Sequence, residues 1–372
     1  MEENENPFIK KKKTKKEFPI ISVLVVLLVL VVSIAGFLMF KTLNPAVPLK
    51  SQTFETALGL QSAISNKSYG WAYQENGKWY VEINSKIYGP YAGMVSLLSV
   101  SDNGFAYAYE NSGKWTVNVN GKDYGPYDSI MDVAVADKKF GYIYQNSGKW
   151  TVNVNGKDYG PYDFVQQNTL SVTNNNFGFI YENAGKWMVD VNGKDKGPYG
   201  SIASLAVSNK KIAYAYENSG KWTVNVNGKD YGPYNQNVFY LSVSDKSFGY
   251  VYDDQGKRYV KINNNKYGPF DDVGGLALSN NSYAFSTFKL GEKWMVNVKG
   301  KAYGPYDTVK KVSVSDKGFG FIYQNKNRWE LDINNKIFGP YDNADNLYVF
   351  NDNFGFVYNN QAKTFFTINP EK

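Results

Sequence analysis

The chain has 372 residues, a formal net charge of +7, 43% hydrophobic and 17% aromatic residues, and neither histidine nor cysteine. It can bury a core, but disulfides, thiolate chemistry, Cys/His metal centres and any mechanism with a histidine base are excluded. Residues 1–50 hold eight Lys and four Glu, leaving only +3 for the other 322 residues; a field that weak predicts no nucleic-acid binding, which needs clustered cations to displace counterions.

Six lysines fall between Lys10 and Lys16, and Phe18 to Phe40 then runs 23 residues without a charge. A helix of that length spans about 35 Å at about 1.5 Å per residue, enough for a hydrocarbon core of about 30 Å. Basic residues precede the run, so the expected topology is N-terminus cytoplasmic and the remainder extracytoplasmic. The competing reading is a cleaved signal peptide with Ser33-Ile34-Ala35 at the cleavage site, although signal h-regions are usually about 7–15 residues. The expected organisation is a basic tail (1–17), a transmembrane helix (18–40), a stalk (41–53) and a repeat domain (54–372).

From there one unit repeats. Gly-Pro-aromatic recurs at Gly89, Gly125, Gly160, Gly197, Gly232, Gly268, Gly304 and Gly339, in steps of 35 to 37 residues. A basic residue followed by an aromatic keeps the same pace, at Trp79, Trp115, Trp150, Trp187, Trp222, Tyr259, Trp294 and Trp329. Residues 112–127 reappear unchanged at 147–162 and 219–234, which indicates duplication within the gene.

Each unit reads as four strands. A short alternating strand (as at Val312 to Ser315) leads through a polar turn to a second strand such as Phe140 to Tyr144. A loop at Asn146 to Lys149 follows. The third strand runs from Trp150 to Val154, with Trp150, Val152 and Val154 as its apolar set. Asn155-Gly156 supplies a type I′ hairpin turn, and Lys157 to Tyr162 is the fourth strand. Apolar residues on both faces of the second strand predict a sheet covered on both sides. The bulky set Phe140, Tyr142 and Tyr144 is then expected to sit over small residues, such as Gly141, of the adjoining copy. Pro161 places the fourth strand at an outer edge. Four antiparallel strands in about 36 residues, stacked face to face, describe a propeller blade.

The fold class expected is therefore all-β, a β-propeller of about nine four-stranded blades, with eight blades plus an appended unit, or an open stack of sheets, as alternatives. The last unit ends after its third strand, Phe365 to Asn369. A segment at Leu49 to Phe54 could supply the missing strand and close the ring. The stretch Leu205 to Tyr214 resembles the blade motif of TolB-like, WD-repeat-like bacterial propellers, and the likeness recurs at Ser315-Asp316-Lys317 and Ser244-Asp245-Lys246. The turn proline of that motif is absent from every copy here. The resemblance implies an exported, partner-binding propeller.

No nucleophile elbow, phosphate-binding loop or dinucleotide fingerprint is present. Adjacent acids at Asp253-Asp254 and Asp271-Asp272 point to opposite sides of a strand and make no general acid/base pair. Asp342, Asp345 and Asp352 are too irregularly spaced for a calcium loop. No enzyme activity, cofactor or metal is expected. The tryptophans read as core. Lys78, Lys114, Lys149, Lys186, Lys221 and Lys293 read as solvated loop residues, with a ring of positive charge facing an anionic polymer as the alternative. The frame is constant while the links from fourth strand to next blade vary, and scaffolds vary their binding loops. The candidate binding residues are therefore Gln166, Gln167, Asn235, Gln236, Asn237, Lys310 and Lys311. The expected function is a membrane-anchored, extracytoplasmic protein-binding scaffold of the cell envelope; the alternatives are a polysaccharide-binding or adhesion module and, behind it, an envelope enzyme.

Overall fold

The structure, a computed structural model, describes residues 61–369 and the backbone of 52–56. The predicted span Phe18–Phe40, the basic tail and nearly all of the stalk lie outside the described residues. Among the described residues no helix is long and apolar enough to cross a membrane.

The described residues form nine antiparallel sheets. Each is a blade whose strands are labelled A to D from the inner edge outward. In blade 3 these are Ser129–Val135, Phe140–Asn146, Lys149–Val154 and Lys157–Tyr162. Both tight turns on the C strand use residues with positive φ. Asn155 and Gly156 have φ of 51° and 84°, the expected type I′ turn; Ser147 and Gly148, at 51° and 78°, make a second one where the sequence suggested only a loop. The side chain of Asn155 also accepts the Phe140 N–H at 2.8 Å. Asn84, Asn120, Asn192, Asn227, Asn263, Asn334 and Asn369 repeat that contact in other blades. One residue type therefore sets the hairpin and starts strand B.

Blade 9 closes the ring. Its A, B and C strands are Asn343–Val349, Phe354–Asn360 and Lys363–Ile368, and its D strand is Gln52–Thr56, from the other end of the chain. Gln52 pairs with Ile368 and Thr56 with Thr364, so the closing strand lies slightly later than the Leu49 to Phe54 expected. Blade 9 then packs on blade 1. Ile64, Tyr69 and Trp71 share one core cluster with Val357, Phe366 and Ile368, and the Tyr348 hydroxyl donates to Ser62 O at 2.7 Å. These contacts exclude both the eight-blade alternative and the open stack.

The packing between blades differs from the sequence-based expectation. The small residue of strand B does not sit under an aromatic ring. A Cβ placed on Gly141 would meet Val172 and Leu170 of the next blade at 3.2 and 3.4 Å, and the Asn153 carbonyl oxygen at 3.2 Å. The rings instead meet the preceding blade's D strand. Tyr127, the tyrosine of Gly-Pro-Tyr, stacks on Tyr144 at 4.2 Å between centroids and shares a 2.9 Å hydroxyl contact with Tyr142. Tyr91 on Tyr109, Tyr162 on Tyr181, Tyr199 on Tyr216, Tyr306 on Tyr323 and Tyr341 on Tyr358 repeat the stack at 4.1–4.2 Å. Gly-Pro lies in a bulge, where the pairing skips from Trp150–Tyr162 to Val152–Tyr159. That bulge keeps Pro161 out of the ladder and turns Tyr162 toward the next blade. Gly160 has φ of 122°, and a Cβ there would stand 3.0 Å from the Trp150 carbonyl oxygen, so no other residue fits without strain.

The tryptophans of strand C are half-buried and pack on the core clusters, while Val152 and Val154 are fully inside. Asn153 is buried too, against the expected alternation. Its amide donates to Asp158 at 2.7 Å and its oxygen accepts the Gly156 N–H at 2.9 Å. In blade 4 the corresponding residue is Asp190, 2% exposed. Burial pushes its carboxyl up to about 6; the Gly193 N–H opposes the shift and Asp195 adds to it. A raised carboxyl pKa gives a favourable contribution below about pH 4 that is lost as pH rises through about 6. Asp190→Asn should therefore stabilise the protein at pH 7.5 by roughly 1–2 kcal/mol, with the gap closing near pH 4, as urea unfolding at the two pH values would measure. A pH-independent difference would remove this account of Asp190.

Candidate functional site

The D–A links are shorter than the sequence suggested. In blades 3 and 8 a single residue, Asp128 or Asp307, separates the outer strand from the next inner strand, Ser129–Val135 or Thr308–Val314. Lys310 and Lys311 are therefore strand residues, which corrects their assignment to a link. The reason is a bulge early in strand A. Pairing skips between Ile130 and Asp132, Ile202 and Ser204, Val309 and Lys311, and Asp345 and Tyr348. The strand thus enters the sheet at once and leaves its bulged residues out of the ladder.

Those residues differ from blade to blade. In blade 4 the A strand breaks into Phe164–Val165 and Ser171–Val172. Between them Gln167 and Asn168 are exposed, and Thr169 is buried, donating to Gln166 O at 2.6 Å and accepting the Ile180 N–H at 3.2 Å. Asp132 of blade 3 reaches the same loop. Burial raises its carboxyl to about 6, although it accepts the N–H groups of Val133 and Leu170. In blade 6 Tyr240 has φ of 51° and is 44% exposed, and Leu97 of blade 2 has φ of 58°. A left-handed conformation is strained for bulky side chains and is kept where the surroundings hold it.

The remaining predicted residues divide. Asn235, Gln236 and Asn237 are exposed on the link between blades 5 and 6, and Asn235 accepts a hydrogen bond from Lys221. Lys310 is tied to blade 9, donating to Asp345 at 2.9 Å and Ala344 O at 3.2 Å and lying over the Trp329 ring. Lys311 lies over Tyr348, and burial lowers its pKa. These two lysines join blades, whereas Gln167, Gln236 and Asn237 remain open to a partner.

Three of the six repeated lysines are ion-paired. Lys114, Lys149 and Lys293 each pair with an aspartate 14 residues on: Asp128 and Asp163 at 2.5 Å, Asp307 at 2.7 Å. Lys257–Asp271 and Arg328–Asp342 continue the series. The second oxygen of each aspartate takes an N–H from the next blade's B–C turn, as Asp163 does from Ala184 at 2.7 Å. The Lys149 ammonium and that N–H together hold the Asp163 carboxyl below the usual range. Ala92 and Gly200 stand at the partner positions of Lys78 and Lys186. Most of the acidic residues weighed for chemistry are engaged as well. Asp253 and Asp272 both face Arg258, and Asp342, Asp345 and Asp352 pair separately with Arg328, Lys310 and Lys317.

Large apolar side chains missed by the sequence reading stand on this same D–A and B–C side. Leu290 is 84% exposed at a B–C turn, and Met94 and Phe164 are exposed beside D–A links. The signal available was a break in the repeat: Leu290 stands in a B–C turn, Lys289 to Glu292, one residue longer than in the other blades.

No family profile matches the chain, and no curated protein matches it. Solved structures with a similar chain path include Sqt1 of Saccharomyces cerevisiae, at 9% identity and a TM-score of 0.44, covering 87% of this chain and all of that one. The β-propeller domain of the Trilobed protease from Pyrococcus furiosus is similar at 10% identity and a TM-score of 0.41, covering 67% of this chain and 97% of that one. Acylaminoacyl peptidase of Pyrococcus horikoshii is similar at 9% identity and a TM-score of 0.37, covering 74% of this chain and 58% of that one. These likenesses concern chain path and carry no function across to this protein.

Proposed function

We propose that this protein is a membrane-anchored, extracytoplasmic β-propeller that binds a protein of the cell envelope and does no chemistry. The observation that carries this reading is where the repeat varies. The hairpin asparagines, stacked tyrosines and core valines recur from blade to blade, while the inner rim on the D–A side and the exposed Met94, Phe164, Tyr240 and Leu290 differ. A rigid frame with mixed polar and apolar variation on one side is the usual form of a protein-binding surface. The 23-residue uncharged run behind a lysine cluster supports the anchor.

Site-specific photocrosslinking in living cells tests it. A photoreactive residue at Gln167 or Gln236 should join one defined protein, and the same group at Asn103, on the A–B side, should not join it. Equal capture at all three positions would reject the surface. Crosslinks to polysaccharide alone would move the assignment to the carbohydrate-binding alternative.

A further inference from the structure

The closing strand enters its blade from one defined side of the propeller. Gln52 pairs with Ile368, at the C–D end of strand C, and Thr56 pairs with Thr364, beside the B–C turn. Strand D of blade 9 therefore begins, at Gln52, on the side of the A–B and C–D turns, and the variable rim lies on the other side. Residues 41–51, between the proposed anchor and this strand, reach at most about 40 Å when extended.

The two sides differ in charge. Among the described residues the A–B turns, the C–D turns and the first two positions of the D strands carry sixteen lysines against nine aspartates. Six of these lysines and aromatics recur as pairs, as in Lys122 over Tyr124 and Lys157 over Tyr159 at 4.9 and 4.7 Å, which orders the stems and leaves those ammonium groups exposed. On the opposite side Lys114, Lys149, Lys257, Lys293 and Arg328 meet link aspartates in ion pairs, whereas among the sixteen lysines of the A–B and C–D side Lys317 is ion-paired, with Asp352. Blades 1 and 8 flank the closing blade, and at the D-strand position where four blades have aspartate they present Ile87 and Ile337, 56% and 50% exposed.

We infer that the side formed by the A–B and C–D turns is a membrane-facing surface that recognises anionic phospholipid headgroups. Its lysines meet the headgroups, Ile87 and Ile337 reach the interface beside the tether, and the variable rim is held away from the bilayer. Lysines near an anionic leaflet are attracted within about a Debye length, and exposed aliphatic side chains add interfacial contact. This inference rests on the anchor reading and adds an orientation and a lipid class to it.

The full chain in liposomes tests both separately. It has no cysteine, so Asn103→Cys and Gln236→Cys each offer one thiol for a donor dye, with the acceptor on lipid headgroups. With phosphatidylglycerol present, energy transfer from position 103 should exceed that from position 236 at least twofold. It should fall toward the value at 236 in pure phosphatidylcholine or 0.5 M salt. Equal or reversed transfer, or transfer at 103 indifferent to lipid charge, overturns the inference while the protein still floats with the vesicles. Failure to float with vesicles at high salt rejects the anchor and the inference with it.

Discussion

Deleting Gln52–Thr56 from the full chain should lower the melting temperature by about 7 °C or more. Five register pairs would be lost from the outer edge of Lys363–Ile368. At roughly 1 kcal/mol net for each ladder hydrogen bond, with further loss from packing, the penalty is about 5 kcal/mol. For a domain of this size, at about 2 cal/mol/K of unfolding entropy per residue, each kcal/mol moves the midpoint by about 1.5 °C. The effect should spread, because blade 9 supplies Val357, Phe366 and Ile368 to the core it shares with blade 1. Thermal unfolding followed by circular dichroism, with amide hydrogen exchange along Lys363–Ile368, measures it. A midpoint within about 2 °C of the parent would mean that the ring does not depend on its two ends meeting.

Phe321→Ala should cost about 3–5 kcal/mol. Phe321 is fully buried in the B strand of blade 8 and touches the rings of Tyr303, Tyr306 and Tyr323, at 5.5 to 5.7 Å between centroids. Tyr303 and Tyr306 belong to the outer strand of blade 7 (Lys301–Tyr306), so the substitution opens the junction between two blades. Phe321→Tyr tests the same position differently. Blades 2, 3, 5 and 6 have tyrosine there (Tyr107, Tyr142, Tyr214 and Tyr250), each within hydrogen-bond reach of the preceding Gly-Pro-Tyr hydroxyl. Its loss should be under about 1.5 kcal/mol. Equal losses for Ala and Tyr in urea titrations would contradict this reading of the junction.

Much of the fold was legible because the repeat marks itself. Asn155-Gly156 announced its turn, Lys157 to Tyr162 its strand, and the shortfall of one strand in the last unit announced the closure. The inner strands were less legible. A one-residue bulge flips the alternation that a strand pattern depends on, so Lys310 and Lys311 read as loop. The partner of Lys149 was hidden for another reason. Asp163 is 14 residues away, across an intervening hairpin, and only the constant spacing of Lys114–Asp128, Lys149–Asp163 and Lys293–Asp307 could have exposed it. The tyrosine of Gly-Pro-Tyr looked like an edge residue because its ring contacts lie in the next blade. At the candidate surface Gln167, Gln236 and Asn237 were legible as breaks in the repeat. Tyr240 was not, since an isolated apolar residue in a β-rich chain reads as core.

The most direct test of the proposed placement is thiol labelling in intact cells. Gln236→Cys should react with a membrane-impermeant maleimide before lysis, and Asn4→Cys, in the basic tail, only after the membrane is broken. Labelling of Gln236→Cys only after lysis would contradict the extracytoplasmic propeller.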